Sequence, residues 1–387
     1  MYNGTDAPTI TVQFAIAGTW TNVPSTDLLT VDFKRGRERP DQRFDAGSAS
    51  VILDNASGVY DPDITTGPWT SGGASYLRAG LQMRIIGTWS GVPYILFAGF
   101  METPSVDQGF APTVTLTFTD GMALIAKAPA PGLSDTAVGR TDMEVTSARV
   151  TRMLDLMGWP SADRSISTGT VQMLMEPQNR PILDVINDCV NCEVGKFYVG
   201  RDGTAHFEVL NDKFTKVTRL QLSDSQATNT VEYEEIETQP GALQLTNQAV
   251  VNRMTSVVTS TKDKRPIQFI ATDTASANSY GTSTVTVTAP TKTTDAARHI
   301  AWLLARQNAD PQSRVTKIGF SALGLAALYP DFLSLEIGDQ LIVNRTTVDG
   351  RAMTWYCVTE GIQSTITPDS WRVTINTSPM NPYTVTI

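Results

Sequence analysis

Apolar and polar residues alternate along most of the first 125 residues, and clusters of Gly, Pro, Asn and Asp separate the alternating runs. A period of two residues is typical of strands that bury one face. The clearest runs predict strands at Thr9–Phe14, Ser48–Leu53, Gln82–Ile86, Tyr94–Phe100 and Thr113–Thr119. Turn-forming residues at 54–63 and 67–73 predict a long excursion from the sheet. We therefore expect a β-barrel-like domain at residues 1–125.

The pattern changes after residue 125. Ala, Pro and Gly are frequent up to residue 139, so residues 126–146 are predicted to form a linker. Beyond the linker, apolar residues recur with helical spacing at Val150, Met153, Leu154 and Met157. Gly158 and Pro160 follow as stop signals, and the pattern predicts a helix at 147–157.

A second helix and a hairpin come next. Pro181 suits the first position of a helix. The apolar face of this helix consists of Ile182, Val185, Ile186, Cys189 and Val190. Two alternating runs, Lys196–Val199 and Thr204–Val209, flank an Asp-Gly pair that favours a tight turn. Residues 147–245 are therefore predicted to form an α+β domain with two helices and a hairpin.

Strand patterns dominate the rest of the chain. The region 214–290 is rich in Thr and Val and is predicted to be β, with strands at Val250–Thr259 and Ser283–Thr288. A helix is predicted at Thr293–Asn308, and its apolar face should pack on a sheet through Ala297, Ile300, Ala301 and Leu304. Antiparallel strands are then predicted at Gln340–Arg345, Ala352–Thr359 and Trp371–Asn376.

These segments predict a mainly β chain with α+β insertions. Residues 246–387 should form a second β-barrel-like domain that carries one helix, so the architecture consists of two barrel-like domains plus a small α/β domain. A length of 387 residues supports this division, because single hydrophobic cores rarely grow beyond about 250 to 300 residues.

Charge and composition exclude several classes of protein. The 30 basic and 39 acidic residues give a net charge of −9, which argues against a surface built to bind nucleic-acid phosphates. We see no secretory signal pattern and no apolar stretch as long as a membrane helix. Three cysteines are too few for a disulfide framework, and folding in a reducing cytoplasm is expected.

Cysteine and histidine offer little catalytic chemistry. Cys189 and Cys192 form a CxxC pair, but Cys189 lies late in its predicted helix rather than at the start, where a thiol pKa would be lowered. A zinc site would need further ligands from Cys357, His206 or His299, which are distant in sequence. Because no hydrolase, zinc-protease or phosphate-loop motif is present, we expect structural thiols and histidines, no enzyme, and no catalytic, cofactor or metal residues.

Two polar clusters have alternative interpretations. Asp54, Asn55, Asp61 and Asp63 could ligate Ca²⁺, but these residue types also favour turns, and turn formation is the preferred interpretation. The basic run 34–39 could contact DNA or an acidic partner. Asp32, Glu38, Asp41 and Asp45 lie around that run. They favour a loop whose charge is neutralised locally.

Several segments together resemble known tail proteins of bacteriophages. The runs 31–41, 46–55 and 58–62, followed by 84–87, 94–99 and 114–121, resemble the opening of minor tail proteins from long-tailed phages of actinobacteria. Tyr280-Gly281, the helix 296–307 and the run Leu335-Glu-Ile-Gly-Asp-Gln-Leu-Ile-Val343 are similar to the later part of tail-hub proteins in long-tailed phages and contractile machines.

This resemblance implies a structural role in a virion. Tail-hub proteins form a homotrimeric ring with two barrel-like domains per subunit, and the ring joins the tail tube to the tip and surrounds the channel for tape measure protein and DNA. The implied partners are copies of the chain itself, the distal tail protein or tail tube, the tape measure protein and other minor tail proteins. We also expect an acidic bore, from which DNA would be repelled.

Three other interpretations stay open. A hexameric distal tail protein belongs to the same class, whereas a tail-associated peptidoglycan hydrolase would be an enzyme. A carbohydrate- or receptor-binding module is suggested by seven tryptophans among many strands. Exposed aromatic residues in a groove would support that module, whereas burial of Trp20, Trp302 and Trp371 would argue against it.

Overall fold

The computed structural model describes residues 6–107, 109–129, 144–174, 180–225, 227–239, 245–253, 266–311 and 313–380. Strands account for 45% and helices for 20% of the structure, so the chain is mainly β, as predicted. Among the helices of these residues, none is both long enough and apolar enough to cross a membrane.

Strands are distributed along the whole of the described chain, and the helices lie between them. In chain order the strands are β1 Thr9–Ile16, β2 Thr19–Asn22, β3 Leu28–Gly36, β4 Ser48–Asp54, β5 Thr70–Ser71, β6 Ala74–Ser75, β7 Gln82–Trp89, β8 Val92–Asp107, β9 Thr113–Thr119, β10 Arg164–Ile166, β11 Lys196–Val199, β12 Ala205–Glu208, β13 Thr218–Ser223, β14 Val231–Glu232, β15 Glu235–Gln239, β16 Gln248–Arg253, β17 Ile267–Thr272, β18 Thr284–Thr288, β19 Arg314–Ser321, β20 Gln340–Thr346, β21 Ala352–Ile366 and β22 Trp371–Pro379. The helices are α1 Met122–Lys127, α2 Thr146–Leu156, α3 Ile182–Glu193, α4 Thr274–Tyr280, α5 Thr294–Gln307 and α6 Tyr329–Leu333.

Seven N-terminal strands form the first ladder, in the order β3-β4-β9-β8-β7-β1-β2. Alternate residues of these strands face the core, and Phe14 on β1 and Leu53 on β4 are fully buried. The excursion between β4 and β7 folds over this buried face. Its Tyr60 and Trp69 stack with ring centroids 5.7 Å apart, and Trp69 meets Phe14 edge-on at 5.4 Å.

Seven later strands form the second ladder, in the order β14-β13-β20-β21-β22-β19-β15. β14 and β15 belong to one segment, whose first half pairs with β13 and whose second half pairs with β19, at the two ends of this order. Neither ladder closes into a barrel within the described residues. Helix α6 contacts β7, β8 and β13, so it packs between the two ladders.

The two ladders are continuous because β3 pairs with β21. β21 pairs with β20 through its first half and with β3 through its second half. In the register of these two strands, Gly36 faces Gly361. A Cβ atom added to Gly36 would lie 2.2 Å from the carbonyl oxygen of Glu360. One sheet of 14 strands therefore joins the N-terminal and C-terminal parts of the chain.

A third part of the molecule contains most of the helical residues. Two small sheets lie here, in the orders β10-β12-β11 and β17-β16-β18. Helix α5 packs on the second sheet through buried Ala297, Ile300 and Ala301, with Leu304 half-buried, which confirms the predicted packing face. Helix α3 contacts α1, α2 and α5, and the apolar side chains of this part form a core distinct from that of the large sheet.

Most of the predicted elements are present. The five N-terminal strands, the helices predicted from residues 147, 181 and 293, the hairpin and the strands after residue 340 are confirmed with small shifts of their ends. Residues 130–143 of the predicted linker and 254–259 of a predicted strand lie outside the described residues. The prediction of β structure throughout 214–290 is wrong at α4. Its sequence lacks an apolar period, and its start is fixed by Asp273, whose side chain accepts a hydrogen bond from the backbone N–H of Ser276 (3.0 Å).

The division into domains 1–125, 147–245 and 246–387 stays a prediction. Strand pairing crosses its last boundary, since β13, β14 and β15 join the same ladder as the strands after residue 313. The intervening strands β16, β17 and β18 form a sheet of their own with α5.

We predict that Gly36→Ala destabilises the protein much more than Gly350→Ala. Both glycines have positive φ, 88° and 81°, so both substitutions strain the backbone by about 1 kcal/mol. Only at Gly36 does the added Cβ also meet the neighbouring strand, which raises the expected loss to roughly 3 kcal/mol. Denaturant unfolding of both variants measures the difference. Equal losses would contradict the close approach of β3 and β21.

Candidate functional site

The basic run 34–39 begins in β3 and continues into the loop before β4. Val31, Phe33 and Arg35 are all buried, because alternate residues of β3 face the core. The strand therefore carries a guanidinium group to the apolar side of the sheet, where Arg35 is only 5% exposed. A buried cation is tolerated only beside an anion.

Glu336, in the loop before β20, supplies that anion. Its Oε1 pairs with Arg35 and accepts a hydrogen bond from the backbone N–H of Ile337 (2.8 Å), while Oε2 accepts one from the backbone N–H of Arg201 (2.9 Å). Burial alone would raise the pKa of Glu336, but Arg35 and the two N–H groups outweigh burial and hold that pKa below its usual range. The Arg201 guanidinium in turn donates to the carbonyl oxygen of Leu333 (2.7 Å).

Glu360 forms a second buried site of the same kind on β21. Its Oε2 accepts a hydrogen bond from Arg37 (2.8 Å), and its Oε1 accepts from Lys196 (2.9 Å) and from the hydroxyl of Ser378 (2.6 Å). Burial would raise the pKa of Glu360, but Arg37 and Lys196 lower it to about 2. Glu360 lies at the register shift of β21, where the strand changes its neighbour from β20 to β3.

The hairpin of β11 and β12 covers both sites. The hydroxyl of Tyr198 donates to Glu208 (2.8 Å), and Lys216 pairs with the same carboxylate (2.5 Å). Burial, reinforced by Glu208, raises the pKa of Tyr198 well above its usual value. The ring of Phe44 packs beside Tyr198, with centroids 5.6 Å apart, and lies 4.4 Å beneath the guanidinium of Arg37.

Six charged side chains from these sites form one cluster, which we call the charged junction: Arg35, Arg37, Lys196, Arg201, Glu336 and Glu360. The partners are far apart in sequence: Arg35 and Glu336 differ by 301 in residue number, and Arg37 and Glu360 differ by 323. The charged junction therefore connects β3, the β11-β12 hairpin and the C-terminal ladder. Its ion pairs thus have a structural role, since they hold these three parts of the protein together.

The prediction of local neutralisation is wrong for Arg35 and Arg37. Strand alternation and ladder pairing place these two cations beside carboxylates of the C-terminal ladder instead. Local pairing occurs at Arg39, which lies 3.4 Å from Asp41 on the surface. Two cations of the basic run are thus occupied inside the molecule, which leaves less positive charge for DNA or an acidic partner.

All three cysteines are buried in the protein. Cys189 and Cys192 lie on the core face of α3. Burial raises the pKa of Cys192 well above its usual value and that of Cys357 to about 12. A reactive thiol requires the opposite shift, so burial of the CxxC pair agrees with its interpretation as structural thiols.

Both histidines take part in ring stacking. His206 lies on Tyr198 with centroids 4.8 Å apart and nearly parallel planes, and burial lowers the pKa of His206. His299 stacks on Trp302 at 6.2 Å. These contacts agree with the structural role expected of the histidines.

The cluster of acidic residues after β4 forms turns. Asp54 and Asp61 each accept a hydrogen bond of 2.9 Å from the backbone N–H two residues further on, in the second case that of Asp63. Asn55 accepts one from the backbone N–H of Tyr60 (3.0 Å). These bonds are the turn chemistry predicted from the sequence. In the part of the chain that the structure describes, no group of three or more His, Cys, Asp or Glu is arranged to hold a metal ion.

Two of the cavities among the described residues bear on the candidate chemistry. One of about 20 Å³ lies between the ladders, beside Arg35, Phe33 and Trp371. The other, an open groove of about 390 Å³, lies between β13 and α6 and includes Arg219 and Asp331. Neither lining contains a histidine or a cysteine, so neither offers the nucleophile and base pair of common hydrolases.

The tryptophans singled out from the sequence differ in exposure. Trp371 is buried in the core of the large sheet, whereas Trp20 is 37% exposed and Trp302 is 46% exposed. A guanidinium lies over each exposed indole, Arg84 at 4.3 Å from Trp20 and Arg306 at 4.7 Å from Trp302. Neither of these two tryptophans lines the open groove.

Sequence reasoning missed the charged junction, although one of its members left a signal. Arg35 follows Val31 and Phe33 at a spacing of two, so its inward direction could have been derived from strand alternation. Glu336 and Glu360 left no such signal, because their partners come from strands more than 130 residues earlier. Two of the segments that carry the tail-protein resemblance, 31–41 and 335–343, meet through the contact of Arg35 with Glu336.

Two solved structures have this fold over nearly their whole length. The tail protein from Neisseria meningitidis MC58 matches with a TM-score of 0.61 and 10% identity, over 95% of this chain and 96% of that one. The 43 kDa tail protein of prophage MuSo2 from Shewanella oneidensis matches with a TM-score of 0.62 and 9% identity, over 96% and 99%. No family model and no curated protein sequence matches the chain. At these identities the likeness is one of fold.

We predict that Glu360→Gln lowers the free energy of unfolding at pH 7 and that the difference from the wild type shrinks as the pH falls below 4.5. The carboxyl has a pKa of about 2 when folded, against an ordinary value of 4.5. Its contribution is therefore complete above pH 4.5 and is lost as the pH falls from 4.5 to 2. At pH 7 the variant leaves two buried cations without their anion, and we expect a loss of about 3 to 5 kcal/mol.

The control for this experiment is Glu235→Gln. Glu235 pairs with Lys317 at 3.3 Å on the surface, so about 1 kcal/mol or less should be lost. Urea unfolding of both variants and the wild type between pH 7 and pH 2.5 gives the comparison. If the free energies of unfolding of the wild type and of Glu360→Gln differed by the same amount at every pH, the lowered pKa of Glu360 would be contradicted.

Proposed function

We propose that the protein is a structural component of a phage-type tail and has no enzymatic activity. The observation that supports this most directly is the fold shared with two tail proteins over at least 95% of every chain compared. The described residues agree with a structural role. In the charged junction, both carboxylates are paired with cations of the chain.

Within the tail, we assign the protein to a ring-shaped hub formed by three copies. Each copy contains two ladders of seven strands, and in this proposal they take the place of the two barrel-like domains of a hub subunit. Three copies would then present six such units and could join a sixfold tube to a threefold tip. The charged junction and the β3–β21 pairing hold the two units of a copy in one orientation, which a ring of fixed diameter requires.

The partners of such a hub follow from its position. The tail tube or distal tail protein would bind one side of the ring, other minor tail proteins would bind the opposite side, and the tape measure protein and later DNA would pass through the centre. The protein would be assembled in the host cytoplasm and reside at the tail tip of the virion. An acidic bore is consistent with the net charge of −9.

Two alternatives have different signatures. A hexameric distal tail protein would have the same structural role but a different assembly number. A carbohydrate- or receptor-binding module would use exposed aromatic rings, for which Trp20 and Trp302 are the available candidates. A guanidinium already covers one face of each of these indoles, so only the opposite face is available to a sugar.

The first prediction of this proposal concerns assembly. Light scattering or native mass spectrometry at several protein concentrations should find a species of three times 42.0 kDa, because ring formation obeys mass action. A hexamer would favour the distal tail protein instead. A protein that stays monomeric at every concentration would contradict the ring-shaped hub.

The second prediction concerns activity. Purified protein should leave bacterial cell walls intact in a zymogram, and a peptidoglycan suspension should keep its turbidity, because the two cavities described above contain no histidine or cysteine and a single carboxylate, that of Asp331, where a glycan hydrolase needs a pair. Lysozyme on the same gel is the positive control. A cleared band at the mass of this protein would favour the hydrolase.

A further inference from the structure

The solvent face of helix α5 carries an unusual combination of side chains. Its exposed residues include Arg298, His299, Trp302 and Arg306. The indole of Trp302 lies between the imidazole of His299 (6.2 Å) and the guanidinium of Arg306 (4.7 Å). Arg298 lies 5.8 Å from the ring of Phe269 on β17. We call the four exposed residues the α5 face, and this face is both basic and aromatic.

These cations have only loose partners within the chain. Arg298 lies 3.5 Å from Asp295, and Arg306 lies 3.9 Å from Asp273. Both arginines are largely exposed, and pairs of this kind contribute about 0 to 1 kcal/mol each. Tryptophan and arginine are also the residues most enriched among energetically dominant contacts of protein interfaces. The α5 face thus has the composition of a docking surface.

An exposed segment of opposite charge lies elsewhere in the chain. Residues 231–239 carry four exposed carboxylates, those of Glu232, Glu234, Glu235 and Glu237. Two of them pair with surface cations, Glu234 with Arg372 and Glu235 with Lys317. For Glu232 and Glu237, the described residues provide no ion-pair partner. We call the four carboxylates the acidic edge, because β14 and β15 lie at the ends of the strand order.

The two surfaces are opposite in charge. Arg298 and Arg306 are eight residues apart on a helix, which corresponds to about 12 Å. Glu235 and Glu237 lie on the same exposed face of β15, roughly 7 Å apart, and Glu232 lies on β14, before the bend at Glu234. Edge carboxylates also oppose the addition of another strand, so the acidic edge favours a partner that approaches with side chains, such as a helix face.

We propose that copies of this chain associate head to tail, with the α5 face of one copy docked on the acidic edge of the next. Because the two surfaces differ, the contact is heterologous, and such contacts close into rings when the rotation between copies permits. The proposal rests on the proposed ring-forming function and specifies which surfaces form the contact. Trp302 supplies the apolar area, and the arginines supply charge complementarity and register.

The test begins with the tryptophan. Trp302→Ala should weaken self-association at least about tenfold, as expected for a central interface residue. Trp20→Ala is the matched control, since Trp20 is also partly exposed and also lies beneath an arginine. Sedimentation velocity over a concentration series measures both dissociation constants. Circular dichroism melting verifies that each variant remains folded, which is expected because neither indole belongs to the buried core.

Charge reversal provides the sharper comparison. Arg298→Glu with Arg306→Glu should abolish association at concentrations where the wild type assembles, and Glu232→Arg with Glu237→Arg should do the same. The variant that carries all four substitutions should regain association to within about tenfold of the wild type, because both charges are reversed together. Raised salt should weaken the wild type and this fourfold variant alike.

The outcomes separate the two levels of inference. A wild type that does not associate at any concentration contradicts both the ring and this contact. A wild type that associates unchanged after both charge reversals retains the ring but overturns this contact. If both double variants lose association and the fourfold variant does not recover it, this contact is also overturned. The α5 face would then bind something other than the acidic edge, such as an acidic segment of another protein.

Discussion

The fold depends on two buried carboxylates that hold cations from distant parts of the chain. Glu336 and Glu360 are largely removed from solvent, and each would be unstable as an anion if its arginine were absent. Arg35 and Arg37 come from the first ladder and the loop that follows β3, whereas Lys196 and Arg201 come from the hairpin. The pairing therefore makes correct assembly of three segments a condition for burying any of these charges.

The backbone enforces the same arrangement independently. β3 and β21 approach so closely at Gly36 and Gly361 that no side chain fits between them, and their pairing turns two ladders into one sheet. Glu360 lies next to this point, so the electrostatic and steric constraints act at one place. Because both constraints act at one place, a hinge motion between the two ladders would separate buried ions. This arrangement favours a fixed orientation of the ladders.

The helical part serves a different purpose. Its core is separate from that of the large sheet, but Phe44 and Ile337, which belong to loops of the two ladders, pack into it. The hairpin that covers the charged junction belongs to the same part, so this part is connected to the ladders through both apolar and polar contacts. Helix α5 of this part packs on the sheet of β16, β17 and β18 and contacts α3.

The sequence by itself determined the class of structure and the position of most strands and helices. Alternation of apolar residues placed the strands, helical spacing placed α2, α3 and α5, and an Asp-Gly pair placed the hairpin turn, because each of these signals is local. It also favoured structural thiols and turn-forming carboxylates, since residue types and their spacing were sufficient for that judgement. The short helices α4 and α6 were missed because their limits depend on a capping side chain or on packing between ladders rather than on a period.

Tertiary structure alone decided which strands are neighbours and which charges are paired. The run around Arg35 resembled a locally neutralised loop, yet its cations pair with carboxylates about 300 residues later, because β3 and β21 are adjacent only after the sheet forms. In the same way, Trp371 is buried and Trp302 is exposed, although both lie in elements with an apolar face. The order of strands in a ladder and the surroundings of each side chain are set by long-range contacts. A pattern along the sequence does not show which distant segments make those contacts.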